Sequence, residues 1–314
     1  MKQLEYLMSQ TGILTKAKKK FIGDKAFYRY LIFLAFPMIV QNGITSFVSF
    51  LDNIMVGQIG TEPMSGVAIV NQLFFVFNIC IFGGVSGAGI FSAQFFGKGD
   101  FEGQKYTFRF KLYACLLITA IACVLFHFLD EPLISLYLND GGSVGNTRLA
   151  LSYGKEYLAI MIFGLLPFAV SQTYVSTIRE TGQTFVPMVS GIVAVITNLV
   201  LDYVLIFFGA PELGVAGAAI ATVIARYTEC LIVVVWAHRH LYKNPYLIGV
   251  YKGLRIPGSI LADIFRKGLP LMFNEMLWAV GMAVIVQCYA VRGLEVVAAQ
   301  NISSTISNLF NIVY

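Results

Sequence analysis

The chain has 314 residues, of which 57% are hydrophobic and only 12% are charged, and its mean hydropathy is +0.74. Soluble domains carry about 25% charged residues, so this composition excludes a protein whose whole surface faces water. The net charge of +5 does not indicate nucleic-acid binding, because the basic residues lie between apolar runs and form no basic-aromatic stripe. Lipid is therefore the predicted solvent for most of the chain.

Eight apolar runs are each long enough to cross a bilayer, which takes about 20 residues of α-helix. A segment in lipid must satisfy its own backbone hydrogen bonds, so an all-α polytopic membrane protein is predicted. Residues 1–26 are polar and basic without a long apolar core, which indicates a cytoplasmic tail and no cleavable signal peptide. The predicted spans are residues 28–57, 64–96, 104–128, 150–179, 185–208, 214–238, 262–291 and 294–314.

Lys and Arg residues are concentrated in alternate loops. The loops at residues 58–63 and 209–213 contain none. Positive charge marks the cytoplasmic side of a membrane protein, so the N-terminus is predicted to be cytoplasmic. The basic residues assigned to cytoplasmic loops are Lys98, Lys105, Arg109 and Lys111 after span two, and Arg239, Lys243, Lys252, Arg255, Arg266 and Lys267 after span six.

The sequence also contains an internal repeat. A shift of 233 residues aligns Pro37 with Pro270, and it aligns residues 77–79 with residues 310–312 as the same tripeptide, FNI. Apolar composition can mimic such similarity, but a gapless tripeptide together with a matched proline favours a duplication. We predict two six-helix bundles related by a pseudo-two-fold axis along the membrane normal, with the second bundle incomplete. The predicted domains are a tail at 1–26, an N-terminal lobe at 27–240, a linker at 241–261 and the start of a C-terminal lobe at 262–314.

Span one carries polar residues along one side. Gln41, Thr45, Ser49 and Asp52 follow one another at steps of four, four and three, which places them on one helical face. A face this polar cannot contact lipid, so it is predicted to line a bundle interior or a wet substrate cavity. For Asp52 a second interpretation stays open, in which the carboxylate only caps the outer end of the helix near water.

Asn198 and Asp202 lie four residues apart in span five and therefore share a helical face. Spans one and five run in the same direction, so Asp52 and Asp202 are predicted at similar depth. Two carboxylates in one lobe can take up and release a proton near neutral pH. The same oxygens could instead hold Na⁺, together with the Asn198 amide and a hydroxyl such as that of Thr222. We predict an ion-coupling site here and no resident cofactor.

Other charged residues inside the spans have a weaker pattern. Arg226 and Glu229, three residues apart in span six, are predicted to form a local ion pair. Glu275 in span seven is predicted to face either the central cavity or a neighbouring polar group. No Ser-His-Asp or metal-ligand spacing is present, so no enzymatic activity is expected. Close approach of helices is predicted at the small residues Gly83, Gly84, Gly87, Ala88 and Gly89.

Several stretches resemble the multidrug and toxic compound extrusion (MATE) family. Residues 37–60, PMIVQNGITSFVSFLDNIMVGQIG, are similar to the first helix of that family. Four further stretches follow in the family order: AQFFGKGD, IRETGQTFVP, TNLVLDYVLIFFG and GVAGAAIATVIA. The resemblance covers residues 27–314 and points to the DinF-like bacterial branch.

This resemblance implies a monomeric transporter in the bacterial inner membrane, with two six-helix lobes in a V shape. It implies H⁺- or Na⁺-driven antiport of cationic or amphipathic small molecules by alternating access. The coupling acids of the family fall on Asp52 and Asp202, and its helix-five asparagine falls on Asn198. A helix-four tyrosine falls on Tyr157 and a helix-six threonine on Thr222. Another branch uses an acid in helix seven, but Glu275 lies about one turn early for that match.

The wider superfamily also includes lipid-linked oligosaccharide flippases, which are the alternative function. Flippases of this kind have a cationic central cavity for an anionic headgroup. In this chain the interior of the first lobe is acidic and rich in amides, and Arg226 is the one embedded cation expected in spans one to six. The sequence therefore favours export of cations, with a small-molecule substrate and the lipid bilayer as partners and no nucleic acid.

Overall fold

The computed structural model describes residues 24–138, 146–208, 213–253 and 255–310. Within these ranges the regular structure is helical, without strands, as predicted. A short 3₁₀ turn at Ile162–Gly164 joins the helices Thr147–Met161 and Leu165–Glu180, and a π-helical turn at Val204–Phe208 extends the helix Phe185–Tyr203. The helices are α1 (Lys25–Gly57), α2 (Thr61–Lys98), α3 (Phe101–Phe128), α4 (Asp130–Ser135), α5 (Thr147–Met161), α6 (Leu165–Glu180), α7 (Phe185–Tyr203), α8 (Gly214–Arg239), α9 (Gly258–Ala290) and α10 (Leu294–Phe310).

In the part of the chain that the structure describes, six helices are long and apolar enough to cross a membrane, with α5 and α6 counted as one. They correspond to the first six predicted spans. Helix α9 contains a shorter apolar stretch at Met276–Ala290. Predicted spans seven and eight are therefore present as the helices α9 and α10, and their crossing of the membrane stays a prediction. The chain is a multi-pass membrane protein.

The helix boundaries reproduce the internal repeat. The shift of 233 residues that aligns the sequence takes both ends of α1 onto the ends of α9. It also takes Thr61, the first residue of α2, onto Leu294, the first residue of α10. Pro37 and Pro270 lie at equivalent places inside α1 and α9. The repeat of the first two helices is thus confirmed in α9 and α10, although residues 311 and 312 of the repeated tripeptide lie outside the described residues.

Helix α2 lies at the centre of the molecule, packed against α3, α5 and α9. Its contact with α9 is very close, because a Cβ atom on Gly87 would lie only 2.9 Å from the Cα atom of Gly268. Only residues without a side chain allow two backbones to approach in this way. The predicted small-residue contact is confirmed at Gly87, and it joins the N-terminal lobe to the first helix of the second repeat.

Replacing Gly87 by Val is therefore expected to lower the thermal unfolding midpoint of the purified protein, because the added side chain must push α9 away. Gly97 provides a matched control in the same helix, since a Cβ atom there would meet nothing within 4 Å. The Gly97→Ala variant should unfold at the midpoint of the original protein or slightly above it. An unchanged midpoint for Gly87→Val would contradict the close crossing.

Three of the basic residues assigned to the loop after span two lie in α3, and two of these are buried. Arg109 and Lys111 are buried inside α3, because this helix already begins at Phe101. The Arg109 guanidinium donates hydrogen bonds to the backbone carbonyls of Val250 at 2.7 Å and Arg255 at 3.1 Å. The linker after α8 folds back over this end of the bundle and satisfies the charge with its carbonyl groups. The prediction that Lys105, Arg109 and Lys111 lie in a loop is wrong, because all three are residues of α3.

Candidate functional site

Asp52 on α1 and Asp202 on α7 face each other inside the N-terminal lobe. The two helices pack along one another, and the two carboxyl groups are close enough to interact electrostatically. Asp202 has no exposed surface. The Asp52 Oδ1 atom and both carboxyl oxygens of Asp202 are buried, and none accepts a hydrogen bond from a described residue. Two ionised acids are costly in such a place, so the pair suits a proton or a cation between them.

Asn198, Thr222 and Tyr157 surround this pair. The Asn198 amide lies beside the Asp202 carboxyl group and donates to the Thr222 Oγ1 atom at 3.4 Å. The Tyr157 side chain is only 5% exposed, and its hydroxyl lies next to that of Thr222. The structure thus brings together the five residues predicted as the ion-coupling site. Their role in coupling stays a prediction.

The sequence of α8 explains how Thr222 reaches Asn198. The helix begins with small residues, and a Cβ atom on Gly217 would lie only 3.2 Å from the backbone oxygen of Leu205. Helix α8 can therefore pack directly against the end of α7. The Thr222 hydroxyl also donates to the Ala218 carbonyl at 3.0 Å, which fixes its oxygen toward the Asn198 amide.

Within the described ranges, no group of three or more His, Cys, Asp or Glu residues could hold a metal ion. A Na⁺ ion at the acidic pair would therefore rely on the two carboxylates and on neutral oxygens. The free carboxylate oxygens of Asp52 and Asp202, with the amide of Asn198 and the hydroxyl of Thr222, are the hard oxygen donors that such an ion prefers. The residues present fit Na⁺ as well as a proton.

Arg226 lies one turn after Thr222, in an aromatic slot. Its guanidinium carbon is 5.1 Å from the ring centroids of both Phe74 and Phe168, at the distance of a cation–π contact. Its Nη1 atom donates to the Gly164 carbonyl at 3.4 Å, in the 3₁₀ turn between α5 and α6. Gly164 leaves room for the arginine, since a Cβ atom there would lie 3.0 Å from the Arg226 Cδ atom.

The predicted ion pair between Arg226 and Glu229 is wrong. Among the described residues, the ion pairs within 4.0 Å do not include these two side chains. Arg226 reaches the rings on α2 and α6, and Glu229 interacts electrostatically with Arg179 on α6 as well as with Arg226. A spacing of three residues permits a contact on a helix surface, but inside a bundle the neighbouring helices offer better partners.

A buried ion pair joins α3 to α6 instead. The Lys111 ammonium, fully buried, donates to the Glu180 Oε1 atom at 2.6 Å, to the Thr177 Oγ1 atom at 3.2 Å and to the Ser176 Oγ atom at 3.3 Å. Every donor position of the ammonium can thus be used. Arg226 is therefore not the one embedded cation of the first lobe, as the sequence suggested, because Lys111 is embedded too.

A cavity of about 800 Å³ lies between α1, α2, α9 and α10. Thr45 and Ser49, two of the predicted cavity residues, line it. Gln41 does not, because its Oε1 atom accepts a hydrogen bond of 2.8 Å from Arg179 inside the N-terminal lobe. Glu275 lies in α9, but its side chain is outside the described residues. We call this space the inter-lobe cavity.

The polar stripe of α1 is divided between these two places. Successive residues of an α-helix are separated by about 100°, so Gln41 and Asp52 lie at one edge of the stripe and Ser49 and Asn53 lie toward the other. The first edge faces the interior of the N-terminal lobe, where Asp52 meets Asp202. The second edge lines the inter-lobe cavity. One helix therefore contacts both the acidic pair and the cavity.

Known proteins are similar to this chain in sequence. The family model MatE matches residues 37–204. A probable multidrug resistance protein NorM of Thermotoga maritima is 26% identical over 283 residues, which are 89% of this chain and 58% of that protein. A probable multidrug resistance protein YoeA of Bacillus subtilis is 23% identical, over 96% of this chain and 63% of that protein. The chain thus spans about six tenths of the length of these curated relatives.

Solved structures share the fold. The MATE multidrug transporter DinF-BH in complex with rhodamine 6G superposes with a TM-score of 0.76 and 24% identity, over 93% of this chain and 63% of that one. A MATE protein in the bent conformation has a TM-score of 0.70 and 19% identity, over 91% of this chain and 65% of that one. At these identities the likeness shows the fold.

Proposed function

Because this chain belongs to the MATE family, we propose that it serves multidrug export across the membrane. In this proposal, H⁺ or Na⁺ enters as cationic or amphipathic small molecules leave. The observation that supports it best is the Asp52–Asp202 pair, with three buried carboxyl oxygens that accept no hydrogen bond from described residues. Buried acids in a membrane are costly and usually functional.

Helix α1 provides the physical link between ion and substrate. When both acids are ionised, they repel one another across the contact between α1 and α7. A proton or Na⁺ there removes that repulsion and lets α1 approach α7. Because the same helix lines the inter-lobe cavity through Thr45 and Ser49, the shift changes the shape of the cavity. The ion thereby favours one of the two arrangements of the lobes that alternating access requires.

The orientation of the protein belongs to the same proposal. The end of the bundle that carries Lys25, Lys98 and the Arg109 contact with the linker is the basic end. By the positive-inside rule we place this end, and with it the N-terminus, in the cytoplasm. The acidic pair then lies in the outer half of the membrane, where it is nearer to the ions outside the cell. We further propose that the protein acts as a monomer in a bacterial inner membrane.

Transport from lipid vesicles tests the proposal. Vesicles that contain the protein are loaded with the cationic dye rhodamine 6G or, in a second set, with the uncharged 4-methylumbelliferyl β-glucoside. Gradients of pH and of Na⁺ are then imposed separately. We expect at least one of the two gradients to accelerate the efflux of at least one compound. This acceleration should disappear when an ionophore dissipates that gradient. An efflux rate that does not change with either gradient would refute coupled transport.

A further inference from the structure

The linker between α8 and α9 packs one side against the N-terminal lobe. The side chains of Tyr246 and Leu247 are buried, in a cluster with Phe108 on α3 and Tyr174 on α6. The Arg109 guanidinium fixes the same segment, because it donates hydrogen bonds to three of its backbone carbonyl groups. Buried side chains and one buried charge therefore hold the linker in place on this end of the bundle.

The same linker exposes other large side chains. Tyr242 is 76% exposed, Tyr251 is 57% exposed and Ile248 is 56% exposed. Such side chains gain nothing from contact with bulk water. Tyrosine is enriched instead at the membrane–water interface, where its ring lies in apolar surroundings and its hydroxyl in water. The exposed part of the linker thus has the composition of a segment at the depth of the lipid headgroups.

The charges of this segment are basic. Between Glu229 and Asp263 the sequence contains no Asp or Glu. The acids of the two helices packed against the linker are paired with lysines of their own, Glu102 with Lys105 on α3 and Glu180 on α6 with Lys111. The segment therefore presents a surplus of positive charge. Its Lys and Arg residues are all exposed: Arg239, Lys243, Lys252 and Arg255.

Two stretches of the linker meet at the end of α8. The Tyr251 ring stacks on the His238 ring, with centroids 6.0 Å apart and planes 8° apart. The Tyr242 ring centroid is 5.9 Å from that of His240, and the Lys243 Nζ atom is 5.6 Å from the centre of the Tyr242 ring. Helix α8 has 26 residues, more than the roughly 20 that cross the hydrocarbon core. Its last turn, and the linker side chains around it, therefore reach the headgroup layer.

We propose that this exposed face of the linker binds an anionic phospholipid of the adjacent leaflet in preference to a zwitterionic one. The basic side chains meet the lipid phosphate, the two tyrosines lie among the headgroups, and Ile248 contacts the start of the acyl chains. This inference goes beyond the proposed function and does not depend on transport. We call the face the linker surface, and its residues are Arg239, Tyr242, Lys243, Ile248, Tyr251 and Lys252.

Trp236 provides a reporter for the linker surface, because its ring stacks on His240 with centroids 4.8 Å apart. The chain has two tryptophans, so the Trp278→Phe variant keeps Trp236 as its one tryptophan. The variant is placed in vesicles of unlabelled lipid that contain either phosphatidylglycerol or phosphatidylcholine with brominated acyl chains, which quench nearby tryptophan. The dependence of quenching on lipid fraction gives the relative binding constants of the two lipids.

We expect phosphatidylglycerol to bind at least about fivefold more tightly than phosphatidylcholine, since each basic residue near an anionic lipid contributes about fivefold. The preference should decrease at high ionic strength, because salt screens exposed charges. Equal quenching by the two brominated lipids at low salt would overturn the proposal.

Two triple variants in the Trp278→Phe background locate the effect. The first carries Arg239→Gln, Lys243→Gln and Lys252→Gln, and its preference for phosphatidylglycerol should disappear. The matched control removes three exposed charges from α2 and α9 by Lys98→Gln, Arg266→Gln and Lys267→Gln, and it should keep the preference. Equal losses in the two variants would overturn the assignment, because they would show a general attraction of the basic end to the membrane.

Native mass spectrometry of the unmodified protein gives a result that does not depend on how a variant folds. After incubation in detergent with equal amounts of the two lipids, the protein should retain phosphatidylglycerol in preference to phosphatidylcholine. Soluble glycerol 1-phosphate should not displace it, and displacement would overturn the proposal by showing a site for free phosphate esters. Because no gradient is applied, a protein that retains phosphatidylglycerol but does not export would contradict the proposed function alone.

Discussion

Replacing Asp202 by Asn is expected to abolish gradient-driven export while the amount of protein in the membrane stays the same. The asparagine side chain has the size of the aspartate but neither binds a proton near neutral pH nor balances the charge of Na⁺. Without that charge, the contact between α1 and α7 no longer responds to the ion. Efflux from vesicles under the effective gradient, compared at equal protein content, measures the effect.

Two further variants test whether the loss of export is specific to the Asp52–Asp202 pair. Asp263 is an exposed carboxylate on α9, so Asp263→Asn removes the same charge far from the site and should export normally. Asp52→Asn should fail as Asp202→Asn does. The double variant should be no worse than either single one, because both residues act as one unit. Undiminished export by Asp202→Asn would remove this residue from the coupling site.

Replacing Lys111 by Met is expected to destabilise the protein by about 3–5 kcal/mol, since breaking a buried ion pair leaves an uncompensated charge. Glu180 would be left with a carboxylate that is largely buried against α2 and α3. The double variant Lys111→Met, Glu180→Gln should recover much of the loss because neither charge remains. Thermal unfolding of the purified protein in detergent compares the variants.

Lys155 supplies the matched control for this experiment. It also forms ion pairs, with Asp130 and Glu131, but all three side chains are exposed to solvent by a third or more. Exposed pairs contribute little, so Lys155→Met should unfold near the original midpoint. Equal losses for Lys111→Met and Lys155→Met would show that burial of the Lys111 pair is not what stabilises the bundle.

Patterns along single helices could be predicted from the sequence. Hydrophobic runs of sufficient length predicted the first six spans, and the repeat predicted a second bundle whose helices begin at equivalent positions. The spacing of Asn198 and Asp202 placed them on one face, and their depth matched that of Asp52. Tyr157 came only from the family resemblance, because a tyrosine in a helix has no spacing that marks it.

Contacts between helices could not be predicted in the same way. Lys111 lies only about three turns from the start of α3, where a basic residue is as compatible with a loop as with a buried pair. Its partner Glu180 is 69 residues away, and no local pattern connects the two. Likewise, the spacing of Arg226 and Glu229 fits a local pair, whereas the rings of Phe74 and Phe168 belong to other helices.

The polar stripe of α1 shows that contacts with neighbouring helices could not be predicted even for residues on one face of one helix. Gln41, Thr45, Ser49 and Asp52 lie on one broad face, as predicted. However, that face spans the boundary between the N-terminal lobe and the inter-lobe cavity. Periodicity gives the direction of each side chain around the axis, but the position of the neighbouring helices decides which of them share a site.

The claim that the Asp52–Asp202 pair binds the coupling ion is tested most directly by infrared difference spectroscopy of the purified protein, after addition of H⁺ or of Na⁺. We predict a change in the carboxyl bands: a new C=O stretch of a protonated acid for H⁺, or a shifted carboxylate stretch for Na⁺. That change should be lost in Asp52→Asn and in Asp202→Asn. The same bands persisting unaltered in both variants would contradict the claim.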